Sequence, residues 1–279
     1  MEVILVDNSS PDDSAGVSER AMPEARLIAL ASNRGFAGGA NVGIRAAVGR
    51  YVLLLNPDVV VPDGALRRLV NWMDSHPGVA AASPDLVGSD GVSGFPGRAL
   101  PSAWRIALEL SRLHKLLPRQ LRGKLLRGGY WTGGDQLEVG WVPGTAMITR
   151  DSTVRLAGEL REDFFMYGED IEWCRRIRRT AGRIGVCSTV HVTHDWGSSS
   201  KLSWGDADAE RRVVAGIAAA CAVMYGRWHA RVIAGLNVLV FLAEASMPGR
   251  TVEQRRRAYV AARNWSRCLG VRSPATGEG

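Results

Sequence analysis

Cysteine and lysine are scarce in this chain of 279 residues. The shortage of cysteine argues against a disulfide-rich protein. The four cysteines show neither paired CxxC spacing nor the density of a disulfide scaffold. We therefore expect reduced thiols in a cytoplasmic protein, and we expect no zinc site. Only three of the 35 basic residues are lysines, which we take as a compositional bias of the source. The cysteines are Cys174, Cys187, Cys221 and Cys268.

Long apolar runs are also missing from the sequence. The two longest, 213–225 and 232–247, are shorter than the ~20 residues that a membrane span needs. Asn237 and Glu244 interrupt the second run, although both segments are able to lie in the plane of a membrane surface. Met1 is followed at once by a strand pattern instead of a basic patch and an apolar core, so we predict no signal peptide.

The charge balance indicates an anionic partner. The formal net charge is +7 and the sequence pI is about 9.7. A nucleotide, a phosphate-bearing lipid, a membrane surface and nucleic acid all fit this charge, which does not choose among them. The length suits one large α/β domain with a short appendage. We expect the domain to cover residues 1–210, and a helical tail with a disordered end to cover 211–279.

Two apolar segments are predicted to be strands that carry polar residues to the edge of a sheet. Residues 3–6 lead to Asp7, which is either a ligand contact or the cap of the next helix. The uninterrupted apolar run 51–55 predicts a central strand and leads to Asn56-Pro57-Asp58. Asp58 is either a ligand of a hard divalent cation or the cap of a turn.

A glycine-rich stretch from Asn33 to Gly43 precedes a predicted helix at 44–47. Glycines allow close approach of the backbone, and a helix N-terminus attracts phosphate, so the stretch is a candidate for nucleotide contact. It matches neither the P-loop nor the dinucleotide fingerprint, and taken alone the signal is weak.

The segment 163–200 contains the strongest candidates for catalysis. Residues 169–178 are predicted to form a helix, and Asp170 lies in its first turn, where the helix dipole favours the ionised carboxylate. A strand over 184–192 then carries His194 beyond its end. A lone histidine is more often structural, but the polar residues around His194 favour a loop over the ligand and a role in metal binding.

The region 83–134 is irregular, and leucines alternate with cations in a basic stretch at 112–127. That stretch is predicted either to face an anionic bilayer or to form a solvated helix that covers the core. A strand over 141–148 follows, entered through a tight Pro-Gly turn that is expected to line a pocket.

With these segments in order, the sequence resembles the family-2 glycosyltransferases of the GT-A fold, and within them the bacterial rhamnosyltransferase-like branch. Six motifs carry the resemblance, in the order that the family has, over positions 3 to 200. They are Val6-Asp7-Asn8-Ser9-Ser10, Asn33-Arg34-Gly35-Phe36-Ala37-Gly38-Gly39-Ala40-Asn41, Leu55-Asn56-Pro57-Asp58, Trp141-Val142-Pro143-Gly144, Phe164-Phe165-Met166-Tyr167-Gly168-Glu169-Asp170, and His194 with Ser198-Ser199.

The resemblance implies roles for the residues that match these motifs. Asp7 would contact the nucleotide base. Asp58 would bind the metal and Asn56 would lie nearer the ribose, in the place of the family's DxD-type motif, with asparagine at its first position. Asp170 matches the catalytic base, and His194 matches the histidine that completes the metal site in several members. The other residues are Asn33, Gly35 and Asn41 on the donor side, and Trp141, Gly144 and Glu169 on the acceptor side.

The resemblance also implies the fold and the reaction. The fold would be α/β, of the Rossmann-like GT-A type, with a mostly parallel central sheet and a C-terminal helical tail. The enzyme would move a sugar with inversion from a nucleoside-diphosphate sugar, dTDP-rhamnose first and a UDP-sugar next. The acceptor would be a cell-envelope glycan or a polyprenyl-linked glycan at the inner membrane face, and nucleic acid is not an expected partner. Such a transfer needs one base and a divalent cation, Mg or Mn.

One departure from the family pattern concerns the start of the chain. The family begins with an additional strand and helix whose loop holds the nucleotide, and this chain starts at what corresponds to the second strand. We expect that the true start lies upstream; the alternative is a truncated, noncatalytic remnant that binds nucleotide sugars. A sugar-phosphate nucleotidyltransferase would need a GxGxR-like loop after the first strand, and the sequence shows none.

Overall fold

The computed structural model describes residues 1–88, 91–94, 96–111, 113–118, 121, 136–194 and 206–270. The strands of this part of the chain form a two-stranded parallel sheet and a six-stranded sheet. The strands are β1 (Ile4–Asp7), β2 (Arg26–Ala29), β3 (Tyr51–Leu55), β4 (Val59–Val60), β5 (Val79–Val87), β6 (Gln136–Val139), β7 (Ala146–Arg150) and β8 (Arg183–His194).

The helices surround these sheets and form the C-terminal region. The helix Glu169–Thr180 has three acidic residues in its first turn and two arginines in its last turn. Both sets of charges interact favourably with the helix dipole. The helices are α1 (Ser14–Ala21), α2 (Gly35–Ala46), α3 (Ala65–Ser75), α4 (Ala103–Leu110), α5 (Asp151–Ala157), α6 (Glu169–Thr180), α7 (Asp206–Tyr225), α8 (Arg227–Ala245) and α9 (Val252–Arg267).

The six-stranded sheet has the order β3, β7, β5, β8, β4, and β6 also pairs with β8. Four of its five pairings are antiparallel, and β5 with β8 is the parallel one. The α/β class, with a central sheet and a C-terminal helical region, is confirmed. The prediction of a mostly parallel sheet, which followed from the family resemblance, is wrong for this sheet. Apolar residues on both faces of a strand show that both faces are covered, but they do not give the direction of the strand.

The position of β3 also differs from the prediction. The run 51–55 is a strand, but β3 lies at one end of the sheet order and pairs only with β7 among the described strands. Its burial is mostly intermediate, and Leu55 is 43% exposed. β1 and β2 form their own sheet and do not pair with β3. The expectation of a further strand upstream stays a prediction.

Helix α2 begins at Gly35, nine residues before the predicted start. The glycines are part of this helix, and two of them, Gly39 and Gly43, face β1 and the residue that follows it. A Cβ at Gly39 would lie 3.3 Å from Asn8 Nδ2, and a Cβ at Gly43 would lie 3.4 Å from a methyl of Val6. Without those side chains the helix lies directly on β1, and close packing replaces the expected glycine-rich turn.

Helices cover both faces of the larger sheet. On one face α3 buries Leu69 and Met73 against a cluster that includes Ile148 and Cys187. On the other face α6 buries Trp173, in a cluster that also holds residues of α2, β5, β7 and β8. All four cysteines are buried free thiols, as predicted.

The C-terminal helices pack on α6 and do not form a separate appendage. Residues of α7, α8 and α9 share one buried cluster with Phe164 and with Ile171 of α6. The helical region already begins at Asp206, and the boundary at 210 stays a prediction.

Helix α8 has the length and mean hydropathy of a membrane span, whereas the sequence predicted that its apolar run was too short. A buried core helix passes the same test of length and composition. In α8, however, only 22% of the most apolar window is buried inside the protein. Its outer face therefore carries apolar side chains that no described part of the chain covers.

Two glycines bring α7 against the turn that precedes α6. Gly168, at φ +97°, approaches the carbonyl of Gly216 in α7, and a Cβ at Gly216 would collide with the backbone of Tyr167. The left-handed backbone at Gly168 and this close approach both favour glycine.

The substitution Gly216→Ala is expected to destabilise the protein by roughly 1–3 kcal/mol, because the added methyl must displace backbone. Gly235→Ala in α8 is the matched control, since its nearest outside atom is Leu269 Cδ2 at 3.9 Å. The control is expected to be neutral or to stabilise by up to about 1 kcal/mol, because alanine favours helix. Urea unfolding of both variants measures the difference, and equal stabilities would contradict the packing described.

Candidate active site

Asp58 and His194 meet at one edge of the larger sheet. Antiparallel pairing of β4 with β8 places Val59 opposite His194, and this register brings His194 Nε2 to 3.4 Å from Asp58 Oδ1. His194 is only 5% exposed. The two residues predicted to bind a metal therefore lie side by side, although they are far apart in the sequence.

The donor types of this pair fit a divalent cation. Among the described residues no group of three His, Cys, Asp or Glu side chains lies close enough to hold a metal. Mg²⁺ and similar hard cations commonly take one or two protein ligands and complete their coordination with water and substrate phosphates. Asp58 supplies one such carboxylate, and the imidazole of His194 lies beside it. The residues that follow His194, with Asp195 and Ser198-Ser199, lie outside the described residues.

Asp170 lies in the first turn of α6, and two backbone N–H groups hold its carboxylate. Gly144 donates to Oδ2 at 3.3 Å, and Ile171 donates to Oδ1 at 2.8 Å. Burial raises the pKa of Asp170 to about 6, and the N–H donors reduce that rise. The residue keeps part of its surface accessible to solvent. Asp170 is thus a carboxylate at neutral pH that is basic enough to accept a proton.

Glu169 is more deeply buried than its neighbour. It is 4% exposed, and its Oε2 has no hydrogen-bond partner in the described part of the chain. Burial raises the pKa of Glu169 to about 8, and the negative charge of Asp170 adds to the rise. Glu169 therefore carries a proton at neutral pH.

The segment from Val142 to Thr145 connects the base to the metal pair. Thr145 accepts a hydrogen bond from the backbone N–H of Asn56, two residues before Asp58, at 2.9 Å. Gly144, next to it, donates to Asp170. A Cβ at Gly144 would lie 2.9 Å from the ring of Phe36, so a larger residue would move the segment. Both catalytic candidates are therefore fixed to one short piece of backbone.

The loop after β1 is held by side-chain amides. Asp7 accepts a hydrogen bond from the backbone N–H of Ser10 at 3.2 Å. This contact lies within the loop, four residues before α1 begins, so Asp7 does not cap that helix. Asn8 donates to the carbonyl of Gly35 at 2.8 Å, and Asn33 accepts from the N–H of Gly35 at 2.9 Å. Asp7, Asn33 and Gly35 are thus brought together at the start of α2. Asn8 was missed as a site residue, although its place directly after Asp7 was a signal.

Gly35 also makes a close contact that glycine alone permits. Its φ is +72°, and a Cβ there would collide with the carbonyl of Phe165. The N–H of Phe36 donates to that same carbonyl at 2.8 Å. The glycine-rich motif therefore fastens α2 to the segment that leads to Asp170.

Asn41 does not lie where a donor ligand would meet it. It is 1% exposed, and its amide donates to Leu160 and to Glu162 and accepts from the N–H of Leu160. Both of its N–H donors are used, so Asn41 anchors the segment before Asp163, and we leave it out of the donor site. The sequence gave no sign of this pairing, because Leu160 is 119 residues away.

Trp141 is a packing residue in this structure. Its indole N–H donates to the carbonyl of Ala99 at 3.1 Å, and its ring packs against the sheet cluster and the cluster of the C-terminal helices. Of the three acceptor-side candidates, Gly144 and Glu169 adjoin Asp170, and Trp141 supports the segment that leads to Gly144.

Comparison with known proteins shows what this chain is similar to. Residues 1–128 match the family described as "Glycosyl transferase family 2". A low-salt glycan biosynthesis hexosyltransferase, Agl10 of Haloferax volcanii, is 30% identical over 198 residues, which are 70% of this chain and 59% of that protein. The matches support a family-2 glycosyltransferase.

A second curated relative of this chain is the N-acetylglucosaminyl-diphospho-decaprenol L-rhamnosyltransferase of Mycobacterium tuberculosis. It is 27% identical over 213 residues, which are 70% of this chain and 66% of the relative. The chain therefore spans between about three-fifths and two-thirds of the length of these two relatives.

A solved structure shows the fold. The mannosyltransferase PcManGT from Pyrobaculum calidifontis, in complex with GDP-Man and Mn²⁺, aligns with a TM-score of 0.55 at 14% identity. The alignment covers 96% of this chain and 77% of that protein. The GT-A fold predicted from the sequence is confirmed.

The buried carboxyl of Glu169 makes stability depend on pH. Its pKa is 4.5 in an unfolded chain and about 8 in the folded protein, so the stability tied to its protonated form is complete below 4.5 and is lost as the pH rises through 8. Glutamine cannot ionise, and Glu169→Gln is therefore expected to melt higher than the parent protein, by a margin that grows from about pH 5 to about pH 8.

Thermal unfolding across that pH range measures the margin. Glu19→Gln, on an exposed position of α1, is the matched control and is expected to follow the parent protein at every pH. A margin that stays constant with pH would show that Glu169 ionises normally in the folded protein.

Proposed function

We propose that this protein is a metal-dependent, inverting glycosyltransferase that moves a sugar from a nucleoside-diphosphate sugar to a hydroxyl of a cell-envelope glycan or a lipid-linked acceptor. One observation carries the proposal: Asp170, a carboxyl with a raised pKa, and the adjacent pair Asp58 and His194 are tied to the same short backbone segment. A base and a cation site close together are what an inverting transfer requires.

Asp170 is the base in this proposal. Its raised pKa brings its proton affinity close to neutral, where a general base is most effective. The N–H groups of Gly144 and Ile171 fix both carboxylate oxygens, so the carboxylate holds one orientation toward the acceptor hydroxyl. Proton removal makes that hydroxyl the nucleophile, and attack from the face opposite the leaving group gives inversion. Glu169 stays protonated beside it and adds no negative charge that would repel the diphosphate.

Asp58 and His194 would hold Mg²⁺ or Mn²⁺, which when bound neutralises the charge of the departing nucleoside diphosphate. The neighbouring Asn56 is proposed to contact the ribose. Asp7, Asn33 and Gly35 lie at the carboxyl end of β1 and the N-terminus of α2, where the carboxylate of Asp7 is placed to recognise a base. These residues make up the proposed donor site.

The relatives support a choice of substrates for this proposal. One is named for rhamnosyl transfer to a diphospho-decaprenol-linked sugar and the other for hexosyl transfer in glycan biosynthesis. We therefore propose dTDP-rhamnose as the first donor to test and a UDP-sugar as the second. The apolar outer face of α8 supports peripheral contact with the cytoplasmic face of a membrane, where a lipid-linked acceptor is available.

Two variants are expected to separate transfer from donor binding. Asp170→Asn is expected to reduce transfer by roughly 10²–10⁴-fold and to leave donor affinity within about twofold, because the amide cannot take the proton. Asp58→Asn is expected to weaken donor binding in the presence of Mn²⁺ by tenfold or more, since a metal ligand is removed. Calorimetry with a panel of nucleotide sugars measures binding, and product analysis measures transfer.

Asp63→Asn, an exposed aspartate on the same segment as Asp58, is the matched control and is expected to resemble the parent protein. Unchanged transfer in Asp170→Asn would remove that residue from the base role. Donor binding that a chelator does not affect would remove the metal from the proposal. Donor binding without any transfer by the parent protein would identify the noncatalytic remnant instead.

A further inference from the structure

A cavity of about 510 Å³ lies among α4, β6, α6 and the junction of α7 with α8. No residue proposed for catalysis, donor binding or metal binding is among its described lining residues, so it is separate from the candidate active site. Its volume lies in the range of about 300–1,000 Å³ that is typical of pockets for whole small molecules. The polar and charged residues that line it are Ser102, Arg105, Glu138, Arg178, Tyr225 and His229.

Positive charge exceeds negative charge around this cavity. Arg105 and Arg178 line it, and a third cation, Arg175, lies 4.5 Å from the ring centroid of the lining residue Tyr225. Burial raises the pKa of Tyr225, and these three arginines oppose that rise, so all three charges act at its hydroxyl. The described lining contains a single carboxylate, that of Glu138. The three arginines and this carboxylate leave a net charge of +2.

Arg105 is held at the cavity with a donor unused. Its Cζ lies 4.9 Å from the ring centroid of Trp104, and its Nη1 donates to the carbonyl of Leu100 at 3.0 Å. Its buried Nε has no hydrogen-bond partner in the part of the chain that the structure describes. Burial lowers the pKa of Arg105, and the positive charge of Arg178 lowers it too. An anionic acceptor would pair Nε and counter the repulsion between the two arginines.

The N-terminus of α4 adds to the attraction for an anion. The residues from Ser102 to Arg105 all line the cavity, and they comprise the residue before α4 and its first turn. A helix N-terminus carries partial positive charge, and no acidic residue occupies this first turn. The buried hydroxyl of Ser102 has no hydrogen-bond partner among the described residues. A hydroxyl, a helix dipole and two guanidinium groups are therefore available to one ligand.

A phosphate monoester has the charge and the acceptors that this set of donors requires. Its phosphate carries about −1.5 to −2 charges at pH 7 and has three strong acceptor oxygens. A carboxylate carries one negative charge and would leave part of the net charge of the cavity unbalanced. Arginine is suited to phosphate because its planar guanidinium donates to two oxygens at once.

The rest of the lining is suited to the organic part of such an ester. Trp104 is 52% exposed, so the cavity opens to solvent beside an aromatic ring, on which a base or the apolar face of a sugar is able to lie. Inorganic phosphate alone would leave this part of the cavity without a partner. The apolar lining residues are Ala99, Leu100, Ala103, Val139 and Ile233.

We propose that this cavity is a second ligand site, which binds a small phosphate monoester. Arg105 and Arg178 bind the phosphate oxygens, and Ser102 donates to one of them. Glu138 pairs with Arg178 at 3.1 Å and competes with the phosphate for it; the Glu138 side chain is 60% exposed, so it turns to solvent when the ligand enters. Sugar phosphates and nucleoside monophosphates share this chemistry. The site does not depend on the proposed glycosyl transfer.

Calorimetry in the presence of EDTA tests the proposal, because the chelator removes any metal at Asp58 and His194. The two probes are glucose 6-phosphate and adenosine monophosphate, and each is compared with its phosphate-free counterpart and with inorganic phosphate. The parent protein is expected to bind one ester roughly tenfold or more tightly than either comparator. The ester that binds more tightly identifies the source as a sugar phosphate or a nucleotide.

Three variants test the named contacts with the preferred ester. Arg105→Gln is expected to weaken binding by roughly tenfold or more, because a charged donor is lost. Glu138→Gln is expected to tighten binding by roughly threefold, since the competing carboxylate is removed, and misfolding would not produce such a gain. Arg179→Gln removes the same charge from an exposed position outside the lining and is expected to bind like the parent protein.

Four results would overturn the proposal. They are equal affinity for the esters and their phosphate-free counterparts, equal affinity for the esters and inorganic phosphate, unchanged affinity in folded Arg105→Gln, and no gain in Glu138→Gln. Melting curves confirm that the variants fold. Calorimetry with nucleotide sugar and Mn²⁺ keeps this proposal apart from the proposed function, because Arg105→Gln is expected to bind the donor like the parent protein.

Discussion

The hydrogen bond from the backbone of Gly144 to the carboxylate of Asp170 is the contact on which the rest of the site depends. It joins the N-terminus of α6 to the segment before β7, and that segment is bonded to Asn56 beside the metal pair. The ring of Phe36 lies 2.9 Å from the position that a Cβ at residue 144 would take, so glycine is favoured there. Helix α2, the base and the metal pair are therefore fixed relative to one another through backbone contacts.

The same constraint sets the electrostatics of the site. Close packing around the first turn of α6 removes solvent from two neighbouring carboxyls, and both have raised pKa values as a result. Backbone donors reduce the rise for Asp170, while Glu169 has an oxygen without a partner in the described chain. The environment thus separates the two acids into one that is ionised and one that is protonated near neutral pH. The C-terminal helices contribute to this burial through the contact of Gly216 with Tyr167.

Local patterns predicted the local features well. Helix α6, strand β3 and the return of β8 to the edge that holds Asp58 followed from periodicity and element order. The features that failed depend on partners distant in sequence. An apolar run does not show which strands pair with it, so the sequence predicted a central position for β3, which lies at one end of the sheet order. The mostly parallel sheet followed from the family resemblance alone. The amide of Asn41 gave no sign of its partner Leu160, and the excess of arginine around Tyr225 arises only when α4, α6 and α7 meet.

The pH dependence of sugar transfer tests the central claim most directly. If Asp170 is the base, kcat/KM for the parent protein rises with pH through about 6 and then levels, because the carboxylate form is the active one. Glu169 is still protonated over that range, so Glu169→Gln is expected to leave the midpoint of that rise unchanged. A rate that stays constant from about pH 5 to about pH 8 in the parent protein would contradict the account.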